Sequence, residues 1–285
     1  GGNINTANAG YATIGGGLCN TANGCQSTIG GGNSNSVSGY WNTVGGGYAN
    51  NASSESTVAG GITNTASGYR SAVGGGWANT ASGCQSVVAG GRANTASGYR
   101  AAVVGGQCNI ANNSWSFIGG GCVNTASGAR SVIGGGNNNT SSGTQSVISG
   151  GVYNTATQNS TTVAGGAINS ASSWYSTISG GYCNSICHSV AQNCAGYSVV
   201  SGGLGNNTCG GTWNGVNGWT VAPTRTNVGC LSTIGGGFQN IAGGFHSTVA
   251  GGFCNYANGD CSAVLGGCKN CATGVTAAVG AGVFN

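Results

Sequence analysis

Seventeen β-branched residues recur along the chain at near-constant spacing, from Ile14, Ile29 and Val44 to Val249, Val264 and Val279. The interval is 15 residues, except for one of 14 between Val44 and Val58 and two long gaps ending at Val200 and Ile234. Three residues after each of the seventeen stands a Gly, from Gly17 to Gly282, and six residues after each stands an Asn, from Asn20 to Asn285. Three invariant columns at one period mark a stacked-repeat architecture, in which a repeat is one coil and buries its inner face only against its neighbours.

Within the period, S-x-V-x-G alternates with period two, as a short strand does, with Ser, Val and Gly on one face. The stretch N-T-A-S-G, as in Asn64–Gly68 and Asn94–Gly98, alternates again and turns Asn, Ala and Gly one way, Thr and Ser the other. Two short strands per repeat, joined by Gly-rich corners that admit positive φ, make one coil. Stacking sets identical residues about 4.8 Å apart. One Asn per coil, including Asn20, Asn35, Asn50, Asn64, Asn79, Asn94, Asn109 and Asn124, is therefore expected to form an inner amide ladder. The predicted fold is all-β: a single parallel β-solenoid domain, 1–285, of about 17–19 coils of 15 residues.

Composition agrees with a thin core. The 285 residues include 62 Gly but one Pro, and no strict three-residue period, which excludes collagen. Only Arg70, Arg92, Arg100, Arg130, Arg225, Lys269, Glu55 and Asp260 carry a formal charge. Such low charge with regular apolar positions is unlike a disordered chain. No Lys/Arg stripe suggests nucleic acid, and no stretch reaches the roughly 18 apolar residues of a membrane helix. Because the sequence opens at Gly1 without Met, it reads as a processed chain or a segment. One Asp, one Glu and two His leave little for acid–base catalysis, and no G-K-[ST] follows the Gly runs. We expect no enzyme and no cofactor.

Fourteen Cys suggest an oxidising, extracellular or cell-surface setting. Both breaks in the repeat are bracketed by Cys, which predicts disulfide-closed insertions at 185–197 and 207–230, through Cys187 with Cys194 and Cys209 with Cys230. Cys108 with Cys122, and Cys254 with Cys268, lie 14 residues apart on adjacent coils and are the next pairs expected. A metal reading of Cys268-x-x-Cys271, or of Cys187, His188 and Cys194, lacks a convincing fourth ligand, and no metal site is expected.

The longer insertion holds Trp213, Trp219, Pro223 and Arg225, candidates for contact with a ligand or another subunit, or for a small core against the solenoid. Arg70, Arg100 and Arg130 share one column two coils apart, with Gln85 and Gln145 in alternate coils, a spacing that reduces like-charge repulsion. Sequons at Asn51, Asn112, Asn138 and Asn159 are possible N-glycosylation sites; those at Asn139 and Asn206 fall on the inner column.

The motif GGxxNTASGxxSxVxGG, as in Gly75–Gly91 and Gly90–Gly106, resembles the head repeats of trimeric autotransporter adhesins of the YadA type. That resemblance implies a left-handed β-roll, trimerisation through a coil face, and binding to extracellular matrix or host surfaces. Three functions compete. The first is a structural subunit of an extracellular or cell-surface fibre: both ends of the sequence lie in mid-repeat without a capping segment, which would let copies stack head to tail into a filament. The second is an adhesin head that binds glycans or matrix, with Tyr48, Trp77 and Phe253 among its exposed aromatics. The third is an ice-binding surface built on the outward Thr65/Ser67, Thr80/Ser82 and Thr95/Ser97, a ladder interrupted at Ile110, Ile241 and Tyr256.

Overall fold

The computed structural model describes residues 1–187, 196–209 and 229–285, and every regular element among them is a β-strand. They form two compact units, Gly1–Asn137 and Asn138–Asn285. Each unit is a parallel β-solenoid. In Gly1–Asn137, Thr65–Ala66 pairs with Thr80–Ala81, and that strand with Thr95–Ala96, Thr opposite Thr and Ala opposite Ala. A second ladder runs through Ala72–Val73, Val87–Val88 and Ala102–Val103. Asn138–Asn285 repeats both, in Thr155–Ala156 against Ser170–Ala171 and in Thr162–Val163 against Thr177–Ile178.

The repeat predicts two ladders per coil, and the structure adds a third. Parallel bridges link Tyr48, Ile62, Trp77 and Arg92 in the first unit, and Tyr182, Leu204, Phe238 and Phe253 in the second. Each is a single bridged residue beside a corner, too short to leave a period-two pattern in the sequence.

Four columns fill the interior. The Val/Ile column is fully buried from Ile29 to Val264, and so is the Ala column at Ala66, Ala81 and Ala96. The other two are polar: the Asn column and a column of Ser such as Ser56, Ser86 and Ser116. Burying one Val contributes about 1.5–3 kcal/mol and Ala far less, so a lone coil is weak and draws its stability from its neighbours. The invariant Gly has a steric cause. Gly91 sits at φ +90°, and a Cβ there would overlap the carbonyl oxygen of Gly106 and lie 2.6 Å from Asn94 Nδ2.

Positive φ is not confined to the Gly corners. Two further columns of ordinary residues adopt it, as at Ala78, Ala93, Cys108 and Val123, and at Arg70, Gln85, Arg100 and Trp115, with φ from 54° to 57°. The hydrogen bonding shows what the left-handed residue does. Strand amides donate to the following coil, as Thr80 does to the Asn94 carbonyl at 2.8 Å. Amides of the left-handed residues donate to the preceding coil, as Ala93 does to Trp77 and Arg100 to Cys84, each at 2.8 Å. Left-handed backbone costs roughly 1–2 kcal/mol per residue. The cost of a buried amide left without an acceptor is comparable, about 1–3 kcal/mol, so the corner persists.

The two sequence gaps do not interrupt the core. Ile178 pairs directly with Val200, and Val200 with Ile234. The disulfide pattern differs from the one expected: Cys187 is bonded to Cys209, which replaces the expected pairing of each with a cysteine of its own gap. Ser185 bridges Asn207, so the cysteines two residues further on occupy equivalent places on adjacent coils. Cys230 is also in a disulfide, and Cys194 lies outside the described residues.

The expected pairs Cys108–Cys122 and Cys254–Cys268 are not formed; all four are free thiols. Coils superpose at the full repeat, so a separation of 14 leaves the two cysteines one column apart. Cys122 instead bridges Gln107 and Cys268 bridges Phe253, while the Cys254 thiol donates to Gln239 Oε1 at 3.5 Å.

Candidate binding ridges

The Asn column is a structural device. Asn20, Asn35, Asn50, Asn64, Asn79, Asn94, Asn109 and Asn124 are all fully buried. Asn94 shows the pattern: its Nδ2 donates to the carbonyls of Gly90 (3.0 Å) and Gly106 (2.9 Å), and its Oδ1 accepts the backbone N–H of Asn109 (3.0 Å). Direct amide-to-amide bonds occur at some steps, such as Asn35 to Asn20 at 3.1 Å. The ladder is thus stitched mainly through the main chain.

Outward chemistry concentrates at the corners, where left-handed backbone aims side chains away from the core. In Gly1–Asn137 one corner carries Glu55, Arg70, Gln85, Arg100, Trp115 and Arg130 on successive coils, all with positive φ. Arg70 Nε meets Glu55 Oε2 at 2.9 Å. The hydrogen bond to Glu55, followed by the charge of Tyr69, raises the Arg70 pKa above its usual value. Gln85 accepts from Arg100 Nε at 2.6 Å, which gives the alternation of Arg and Gln a physical meaning.

Aromatic rings back these cations. The Arg100 guanidinium lies 4.9 Å from the Tyr99 ring centroid and that of Arg130 lies 5.3 Å from Trp115. Tyr99 and Trp115 meet edge to face at 5.4 Å. Glu55 is the sole acidic residue of this unit, and Arg70 already engages it. The third ladder adds Arg92, held 4.1 Å over the Trp77 ring.

Asn138–Asn285 has a different ridge. Its third ladder carries Val152, Ala167, Tyr182, Leu204, Phe238 and Phe253, then Cys268 and Val283, on successive coils. None is charged. Phe238 and Phe253 stack face to face with centroids 4.9 Å apart, while Tyr182 and Phe253 remain exposed. This apolar line could not be read from strand periodicity, though counting four residues on from each Val or Ile would have found it.

Trp213, Pro223, Trp219 and Arg225 lie outside the described residues, as does His188. Sequons Asn51, Asn112 and Asn159 are exposed and Asn138 is half-buried, whereas Asn139 and Asn206 are fully buried. Thr65, Thr80 and Thr95 stack in register, and Ile110 follows them as an exposed apolar break. Among the described residues no three His, Cys, Asp or Glu side chains converge, and no helix is long and apolar enough to cross a membrane. Burial raises the thiol pKa of Cys183; burial, followed by nearby Cys268, raises that of Cys254. No protein-family model and no curated protein sequence matches this chain.

Proposed function

We propose that this chain is a structural subunit of an extracellular or cell-surface fibre, and that copies associate through the apolar ridge of Asn138–Asn285. The ridge itself carries the reading. Along successive coils Val152, Tyr182, Phe253 and Val283 are exposed and Ala167, Leu204 and Phe238 half-buried, and such an apolar line is unusual for a surface that stays in water. Its side chains repeat at the coil spacing, about 4.8 Å, so a second copy of the same solenoid presents matching positions along its length. The resemblance to YadA-type head repeats supports the same reading and extends it to a left-handed, trimeric head. A disulfide such as Cys187–Cys209 suits an oxidising compartment.

Sedimentation velocity and electron microscopy of the purified chain test the proposal. Assemblies are expected, and F238Q/F253Q should shift them toward monomer. Gln is compatible with the ladder because Gln107 occupies that column in the other unit. A wild-type chain that stays monomeric at high concentration would sink the proposal.

A second reading, an adhesive head, is favoured by the arginine–aromatic corner of Gly1–Asn137. Its test is retention on immobilised glycans or matrix proteins that weakens in Trp115→Gln.

A further inference from the structure

The arginine–aromatic corner has a more specific chemistry than adhesion in general. Arg100 and Arg130 are exposed, and neither makes an ion pair among the described residues. Arg100 uses Nε to bond Gln85, which leaves its terminal amino groups available to another acceptor. Tyr99 lies beside Arg100, and Trp115 is on the coil between the two cations; they keep 36% and 45% of their surface exposed. Arg100 and Arg130 are two coils apart, about 10 Å at the spacing of stacked strands.

We propose that this corner binds an anionic polysaccharide, one with a carboxylate or sulfate on at least every second sugar. The inference rests on the adhesive reading of the corner and is independent of self-assembly. Three features of the site favour such a ligand. A guanidinium is the preferred planar donor to carboxylate and sulfate oxygens. Exposed Tyr and Trp side chains add apolar ring surface for the C–H groups of pyranose rings, with a polar atom at the edge for hydroxyls. An extended polysaccharide advances by roughly one coil spacing per sugar, so charges on alternate sugars meet arginines on alternate coils.

The cation spacing argues against nucleic acid. Duplex DNA carries a charge every 1.7 Å or so of its axis, and its binders cluster Lys and Arg accordingly; here the cations are sparse and each is backed by an aromatic ring. Glu55, the one acid of the unit, is engaged by Arg70, so nothing on this corner repels an anionic chain.

The test measures binding of the whole chain to polygalacturonate, dextran sulfate and neutral dextran, with duplex DNA, anionic phospholipid vesicles and gelatin as comparison surfaces. Wild type should bind polygalacturonate or dextran sulfate, the two separating carboxylate from sulfate, and should release with added salt. R100Q/R130Q should weaken that binding by about tenfold or more, the usual effect of losing charge-assisted hydrogen bonds. Gln already occupies this column at Gln26, Gln85 and Gln145, with positive φ, so the variant keeps a residue the coil accepts. W115Q, made separately, should weaken binding without changing its salt dependence.

Equal binding by wild type and R100Q/R130Q overturns the proposal. So does equal or tighter binding to DNA or to vesicles. Retention on dextran or gelatin that ignores R100Q/R130Q overturns the anionic ligand but leaves the adhesive reading standing, whereas no retention on any glycan or matrix surface overturns both.

Discussion

Asn94 Oδ1 accepts the backbone N–H of Asn109 at 3.0 Å, so one side chain ties its own coil to the main chain of the next. Its two Nδ2 bonds, to Gly90 and Gly106, complete the bracket. Asn94→Ala removes all three and strands the buried Asn109 amide and the Gly90 carbonyl, while the Gly106 carbonyl keeps the Arg92 N–H. With each net bond worth about 0.5–1.5 kcal/mol and each buried orphan costing more, we expect a loss of roughly 3 kcal/mol or more. Asn94→Asp should be worse, because it sets carboxylate oxygens against carbonyl oxygens. Amide hydrogen exchange at Asn109 reads the effect locally, which suits a repeat array better than a global midpoint.

Neighbouring glycines provide an internal contrast. Gly91→Ala forces a Cβ into the Gly106 carbonyl, at a φ of +90°, and is expected to cost several kcal/mol on the scale of core overpacking plus backbone strain. At Gly90 an added Cβ meets nothing within 4 Å, so Gly90→Ala should fall within about 0.5 kcal/mol of wild type. Thermal unfolding of the two variants side by side checks the difference.

The Ser column includes buried hydroxyls without a partner, Ser86 Oγ among them. Ala101 fills the same column one coil on and is fully buried in register. Ser86→Ala should therefore be neutral or stabilising by up to about 1 kcal/mol. A measured loss above that range would mean the hydroxyl has a bond the structure lacks.

Val123 holds φ at 57° with an exposed, β-branched side chain. Asn tolerates left-handed backbone far better and stands in the same column as Asn138, at φ 54°. Val123→Asn is expected to raise stability by about 1 kcal/mol, read as a higher unfolding temperature.

Thiol chemistry should follow burial. Burial raises the Cys183 pKa, so less of it is thiolate at pH 8, and the side chain is shielded as well. Iodoacetamide should label exposed Cys261 and Cys271 well before Cys183, with mass spectrometry of peptides as the readout. Mild reduction that opens Cys187–Cys209 should lower local stability by roughly 2–4 kcal/mol, the usual range for a disulfide, and amide exchange in 185–209 reports it.

The sequence by itself determined the coil. Ile29, Asn35 and Gly32 and their copies state which residues face inward, because an inner column with one register admits one side-chain type at each level. It also located the two gaps in the repeat, since Val200 and Ile234 resume the column after each. What it did not decide were the relations that depend on how adjacent coils superpose. Cys187 bonds Cys209, and Cys108 stays apart from Cys122, because alignment follows the column and not closeness in sequence. Arg100 lies over Tyr99, beside Gln85, because left-handed backbone at the corner turns consecutive residues outward together. That backbone is set by hydrogen bonds to the preceding coil, between residues far apart in sequence, so only the tertiary structure decides it.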